Sequence, residues 1–215
     1  NEDYFHDEMP IYGSYQPEVL IEAESTEDVS NILKICNENK IPVLARGAGS
    51  GLVGSGVAVS GGVMIDMQGM NEIIEYDLDN MVVRVQPGVL LNDLAEDCLS
   101  QGYLYPPDPG EKFATLGGNV STNAGGMRAV KYGTTRDYVR AMEVVLPTGE
   151  VTNFGAVVSK TSTGYSLKDL IIGSEGTLGI ITELTLKIVP KADHTVSLIV
   201  PFESLEACIS TVPVL

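Results

Sequence analysis

Arg46-Gly-Ala-Gly-Ser-Gly-Leu-Val-Gly-Ser-Gly56 decides the fold, because it spells Gly-x-Gly-x-x-Gly over residues 49–54 directly after an apolar run, Pro42-Val-Leu-Ala. At such a place this pattern is the fingerprint of a dinucleotide-binding Rossmann turn. A Rossmann turn, however, must open an amphipathic helix whose N-terminus faces the pyrophosphate. The next residues in this chain, Ser55-Gly-Val-Ala-Val-Ser-Gly-Gly, have no helical stripe and run straight into the strand Val63-Met-Ile-Asp-Met. The Rossmann reading fails on that context, and a P-loop fails because the chain holds no Gly-Lys pair. There remains a loop of close-set small residues (Gly47, Ala48, Gly49, Ser50 and Gly51) whose backbone N–H groups can converge on an anion.

Upstream, Val19-Leu-Ile-Glu reads as a strand, and Ser25-Thr-Glu-Asp opens a helix with apolar Val29, Ile32, Leu33 and Cys36 on one face. Cys36 on that stripe reads as inert core. Strand, helix, strand, loop, strand in this order predicts a small parallel sheet. Residues 1–16 have no period and read as a lead-in. Downstream, Ile73-Ile-Glu-Tyr and Met81-Val-Val-Arg-Val-Gln are strands, and Pro87-Gly88 precedes a helix carrying Leu91, Leu94, Ala95, Cys98 and Leu99 and closed by Gly102. A hairpin occupies residues 141–154, then a long strand runs from Gly179 to Val189, ended by Pro190. A further strand is expected over Thr195–Phe202, with Ser204 opening a helix. Lacking an initiator Met and ending on that helix, the sequence reads as a part of something longer.

Composition narrows the function. The 215 residues carry 13 Lys plus Arg against 29 Asp plus Glu, a net charge of −16. Such a surface repels phosphate backbones and anionic lipids, so nucleic-acid and membrane-surface binding are not expected. No apolar run approaches the ~20 residues that span a bilayer, and the first residues do not resemble a signal peptide. Cys36, Cys98 and Cys208 are too far apart for a metal knuckle and odd in number, which fits a reducing, cytoplasmic setting. His6 and His194 stand without Cys or His neighbours and read as surface residues, so no metal site is expected. An acidic protein that binds a phosphorylated cofactor has to do so through backbone amides.

A second glycine cluster, Thr115-Leu-Gly-Gly-Asn-Val-Ser-Thr-Asn-Ala-Gly-Gly126, comes after the rigid corner Pro106-Pro-Asp-Pro. It supplies further amides with Ser121, Thr122 and Asn123, groups able to bond a ring edge or a diphosphate; equally, its glycines could let a helix pack closely on the sheet. Two distant clusters suit a long cofactor gripped along its length better than a single phosphate.

These stretches, with Thr163-Gly-Tyr-Ser-Leu-Lys-Asp-Leu and Gly173-Ser-Glu-Gly-Thr-Leu-Gly-Ile-Ile-Thr-Glu, resemble the FAD-binding domain of the vanillyl-alcohol oxidase (PCMH-type) superfamily. Within it the likeness is to the FAD subunits of D-lactate dehydrogenase and glycolate oxidase, and it runs from about Tyr15 to Pro201. The resemblance implies an α+β fold of two subdomains, a small parallel sheet and a larger mainly antiparallel one, over residues 17–193 (about 17–70 and 71–193). Residues 194–215 would begin a C-terminal cap, or substrate, domain.

It also implies that residues 47–51 cradle the pyrophosphate after Arg46, with Gly54 and Ser55 continuing the loop. Pro106, Asp108 and Thr115 would lie near the flavin end, and Gly118, Ser121, Asn123, Ala124, Gly125 and Gly126 would wrap the diphosphate and ring. Glu175, Gly176, Gly179, Ile180 and Ile181 would hold the adenosine part. Relatives with covalent flavin place a His where this chain has Ser50, and some offer a Cys near residues 110–114. Neither is present, so non-covalent FAD is expected.

The activity implied is oxidation of a 2-hydroxy acid bound through the cap, with electrons passed to an acceptor such as an electron-transfer flavoprotein, an iron–sulfur subunit or a quinone. A non-catalytic FAD-binding relay subunit and a fold relative with different flavin chemistry are the alternatives. Arg128, Lys131, Tyr132 and Tyr138 lie beside the second cluster and could face a substrate, but no catalytic residue is assigned.

Overall fold

The computed structural model describes residues 2–9, 11 and 13–214. The lead-in expectation therefore touches residues 1, 10 and 12, which lie outside the described residues. After a short 3-10 turn at Glu2–Phe5 come β1 (Val19–Glu22), α1 (Thr26–Asn39), β2 (Val43–Arg46) and β3 (Val63–Asp66). These form a parallel sheet in the order β1-β3-β2, with β3 in the middle and buried throughout. A strand hydrogen-bonded on both sides and covered on both faces has to be apolar along its length, which is what Val63-Met-Ile supplies.

Helix α1 starts where Ser25 accepts the Asp28 N–H, a serine N-cap that satisfies one of the free donors of the first turn. Its stripe of Val29, Leu33 and Cys36 packs with Ala23, Ile65 and Met67, and with Val145 and Ile180 from the second sheet. The Ser30 hydroxyl donates to the Gly149 carbonyl (2.6 Å), so this helix joins the two sheets. Cys36 is buried as expected, and burial raises its thiol pKa.

The second half holds β4 (Ile73–Asp77), β5 (Val82–Val85), α2 (Leu91–Ser100), β6 (Tyr103–Leu104), α3 (Leu116–Ser121), α4 (Ala129–Tyr132), β7 (Val139–Val145), β8 (Val151–Gly155), α5 (Lys168–Ile171), β9 (Ile180–Lys187), β10 (Val189–Pro190) and α6 (Leu205–Thr211). Five of these strands make an antiparallel sheet in the order β4-β5-β9-β7-β8, with β9 central. Leu91, Leu94 and Cys98 of α2 and Leu116 and Val120 of α3 pack with Val83, Val85, Leu184 and Leu186 in one core.

Two expectations change. The long strand ends at Lys187, and Val189–Pro190 then makes a separate two-residue antiparallel ladder with β6. Residues 195–202 form no strand: a strand needs a partner edge for its amides, and this segment pairs with none of the described residues. Its apolar side chains stand in the open, with Ile199 96% exposed.

Candidate functional site

The parallel sheet delivers the glycine loop at the end of β2. Arg46, the last residue of that strand, is buried and points under the loop. Its Nη1 donates to the Gly56 carbonyl (2.8 Å) and its Nη2 to the Asp3 carbonyl (2.6 Å), while the guanidinium lies over the Tyr4 ring. Burial works against its charge; neighbouring Tyr4, Asp66 and Asp7 work for it. Arg46 thus ties the two limbs of the loop together. Gly49 must sit above it at φ +74°, where any Cβ would strike the guanidinium.

The loop forms one wall of a cavity of about 400 Å³. The amides of Ala48, Gly49, Ser50 and Gly51 donate to no backbone or side-chain acceptor among the described residues. Four adjacent backbone donors without a protein acceptor can converge on an anion. Gly51 has nothing within 4 Å of where a Cβ would stand, so the space above it is open.

The facing wall is α3 and the turn after it. Thr115 caps this helix, accepting the Gly118 N–H, and its hydroxyl fills the space where Gly47 would carry a side chain. Ser121, Asn123, Ala124 and Gly125 line the cavity beyond it. The Asn123 carboxamide oxygen is already engaged by Arg136 N–H (3.0 Å) and the Thr134 hydroxyl (3.3 Å), and the Thr122 hydroxyl donates to Gly118 O. The third wall comes from Glu175, Gly176, Gly179, Ile180 and Ile181. It is docked on the second by Glu175 N–H to Ser121 O (2.8 Å) and Gly173 N–H to Val120 O (3.1 Å). Three glycine-bearing stretches, far apart in the chain, therefore meet around one space.

Four expected site residues stand off it: Gly54, Pro106, Asp108 and Gly126 are not in the cavity wall. Asp108 is buried, and its carboxylate pairs with Lys112 (2.6 Å) and Arg128 (3.5 Å); the Lys112 bond and the two nearby cations hold it below the usual carboxylate range. Gly126 is a packing position, since a Cβ there would overlap the Asp108 carbonyl. Nor do Arg128, Lys131, Tyr132 and Tyr138 line the cavity. Lys131 lies over the Tyr132 ring, and Tyr138 is core, its hydroxyl donating to Tyr132 O (2.9 Å).

Sequence reading missed Asn119 and Asp7. Asn119 is 5% exposed and lines the cavity, and its carboxamide bonds no described protein group. Asp7 also lines the cavity, from within the stretch read as a lead-in, where no periodicity marks it. The groups available fit a dinucleotide: unpaired amides for phosphates, a cavity-lining carboxamide without a described protein partner, and the apolar pair Ile180 and Ile181. Among the described residues no cluster of His, Cys, Asp and Glu could hold a metal ion, and no helix is long and apolar enough to cross a membrane.

The sequence profile of the FAD binding domain matches residues 17–155. A D-lactate dehydrogenase of Anaerostipes hadrus is 68% identical over 213 residues, 99% of this chain and 45% of that protein. The glycolate oxidase subunit GlcD of Bacillus subtilis is 42% identical over 97% of this chain and 44% of its own length. Among solved structures, an alkyldihydroxyacetonephosphate synthase superposes with a TM-score of 0.69 at 30% identity, covering 80% of this chain and 34% of that one. The chain spans under half the length of these relatives. With the profile, the relatives and the two-sheet α+β fold in agreement, the chain belongs to the FAD-binding-domain family, and FAD is its cofactor.

Proposed function

We propose that this chain is the cofactor module of a flavin-dependent dehydrogenase that oxidises a 2-hydroxy acid of the D-lactate or glycolate type. The observation that carries the reading is the row of cavity-lining residues from Ala48 to Gly51 whose amides have no protein acceptor among the described residues. They would hold the pyrophosphate without any cationic side chain, as a protein with a net charge of −16 requires. Asn119 and Gly125 would meet it from the opposite wall, and Ile180 and Ile181 would keep water from its apolar end. When bound, flavin supplies the hydride-accepting ring. Ser50 offers no covalent attachment, so the cofactor is held by these contacts alone.

The substrate class is supported by the 68% identity to a D-lactate dehydrogenase and the 42% identity to a glycolate oxidase subunit, against 30% to the ether-lipid-type synthase. In this reading residues 17–193 are the cofactor module and 194–215 belong to a substrate domain. The apolar side chains of Val196, Leu198 and Ile199 would be covered by that domain. Electrons would leave to a separate acceptor, an electron-transfer flavoprotein, an iron–sulfur subunit or a quinone, in a cytoplasmic enzyme.

The test has two steps. Acid precipitation of FAD-loaded protein should leave the yellow colour in the supernatant; colour in the pellet would overturn non-covalent binding. Anaerobic mixing of the longer protein with D-lactate, glycolate or D-2-hydroxyglutarate should bleach the flavin with at least one of them, while the 215-residue chain should not respond. A longer protein that none of them bleaches would overturn the substrate class.

A further inference from the structure

The segment before residue 17 lies outside the stretch matched by the family profile, yet it is bound to the glycine loop at several points. The Asp3 carbonyl accepts from Arg46, and the Tyr4 hydroxyl donates to Asp66 (2.5 Å). Glu8 N–H donates to Gly51 O (3.1 Å). Between them Asp7, 5% exposed, accepts the Gly54 N–H on Oδ2 (2.8 Å) and the Met9 N–H on Oδ1 (2.9 Å). It does so from the wall of the cavity itself.

We propose that Asp7 is a positioning residue of the cofactor site, holding the far limb of the glycine loop so that the cavity-lining backbone of residues 48–51 keeps its place. The proposal rests on the FAD reading above. The physical case starts from the loop, which has no regular structure and whose near limb is fixed by β2. Among the described residues its far limb is tied to the rest of the protein by Arg46 to Gly56, Glu8 to Gly51, and Asp7 to Gly54. Of these, only Asp7, itself in the cavity wall, places a side-chain acceptor against a loop amide, that of Gly54. Hydrogen bonds to a charged acceptor are the strong ones, and a loop fixed before the ligand arrives loses less entropy on binding. A carboxylate suits the place because both of its oxygens accept. The same charge repels a phosphate beside Gly54, which confines the anion to residues 48–51. Nothing in the composition of residues 2–9 signals this role.

The experiment is FAD titration, monitored by quenching of flavin fluorescence, of the parent and of Asp7→Ala, Asp7→Asn and Tyr4→Phe. Denaturation of each apo-protein runs in parallel. Asp7→Ala should weaken FAD roughly tenfold to hundredfold, while Asp7→Asn, which keeps one acceptor, should fall between it and the parent. Tyr4→Phe removes a tie of the same segment that does not line the cavity, and should change affinity less than about threefold. Equal affinity of Asp7→Ala and the parent, at native apo stability, overturns the proposal. So does a Tyr4→Phe loss as large as that of Asp7→Ala, which would mean the segment acts only as a structural tie. If the alanine variant does not fold, the nearly isosteric asparagine decides alone: parental affinity overturns the role, weakened affinity supports it. A parent that takes up no FAD overturns the cofactor reading and this inference with it.

Discussion

The two glycine clusters face each other across one cavity, yet their backbones differ in how much of their hydrogen bonding the protein uses. In the first, residues 46–56, Gly51 looks into open space and the neighbouring amides have no protein acceptor among the described residues. In the second, residues 115–126, Gly117 lies 2.6 Å in Cβ terms from the Pro87 side chain, Gly126 abuts the Asp108 carbonyl, and most amides are spent inside the protein. Gly117 N–H goes to Pro87 O, Asn119 N–H to Thr115 O and Ala124 N–H to Asn119 O. The first cluster leaves four consecutive amides without a protein acceptor among the described residues, which the proposed reading assigns to the pyrophosphate. The second removes side chains so that a short helix can sit against the sheet. Glycine density alone therefore does not distinguish the two clusters; the count of unpaired amides does.

That contrast can be broken by substitution. The largest effect should come from the packing side. Gly126→Ala forces a methyl group into the Asp108 carbonyl, with backbone on both sides of the clash, and should cost roughly 3 kcal/mol of unfolding free energy in denaturant titration. A change below about 0.5 kcal/mol would show that the second cluster is not packed as described. Gly51→Val reverses the pattern. Its φ lies outside the left-handed region and its Cβ meets nothing, so stability should hold within about 0.5 kcal/mol while FAD affinity falls by about a hundredfold. This substitution is cleaner than one at Gly49, where the left-handed φ and the guanidinium of Arg46 would disturb the fold at the same time. Undiminished affinity in Gly51→Val would remove the loop from the site.

A smaller effect is expected across the cavity. Asn119→Ala removes a carboxamide that lines the cavity and has no described protein partner, so the apo-protein should lose nothing in stability and FAD should bind about tenfold more weakly. Loss of stability with affinity intact would mean that Asn119 serves the fold. This residue also shows where sequence reading stopped. The strands of both sheets and helices α1 and α2 were legible because their apolar positions repeat with the period of the element that buries them. The cavity was legible as three motifs. What separated Asn119 from Asn123 was which carboxamide the fold had already used. That depends on Arg136 and Thr134, distant in the chain from Asn119, and no local pattern records it. Asp7 was hidden for the same reason, since its partner Gly54 is 47 residues away. The strand expected at 195–202 failed differently: its pattern was apolar, but a strand is defined by its partner.

The smallest effect concerns Asp108, which the resemblance puts near the flavin end and which does not line the cavity. Its carboxylate is held below the usual range chiefly by the hydrogen bond from Lys112, with the charges of Lys112 and Arg128 adding to it. A carboxylate depressed in the folded state stabilises the protein fully above its unfolded pKa of about 3.9, and that contribution is lost as pH falls through the lower, folded pKa. Both cationic partners are nearly half exposed, so the expected contribution is only about 1 kcal/mol. The unfolding free energies of the parent and Asp108→Asn, compared from pH 7 downward, should differ by a constant amount until about pH 5 and converge in more acid solution. FAD affinity of Asp108→Asn should stay within about threefold of the parent at pH 7, because the residue does not line the cavity. A gap that is equally wide in acid would mean that the charge of Asp108 contributes nothing to the fold. A large loss of FAD with stability unchanged would instead return Asp108 to the site, and the division between a ligand-facing and a packing cluster would have to be redrawn at the Pro-Pro-Asp-Pro corner.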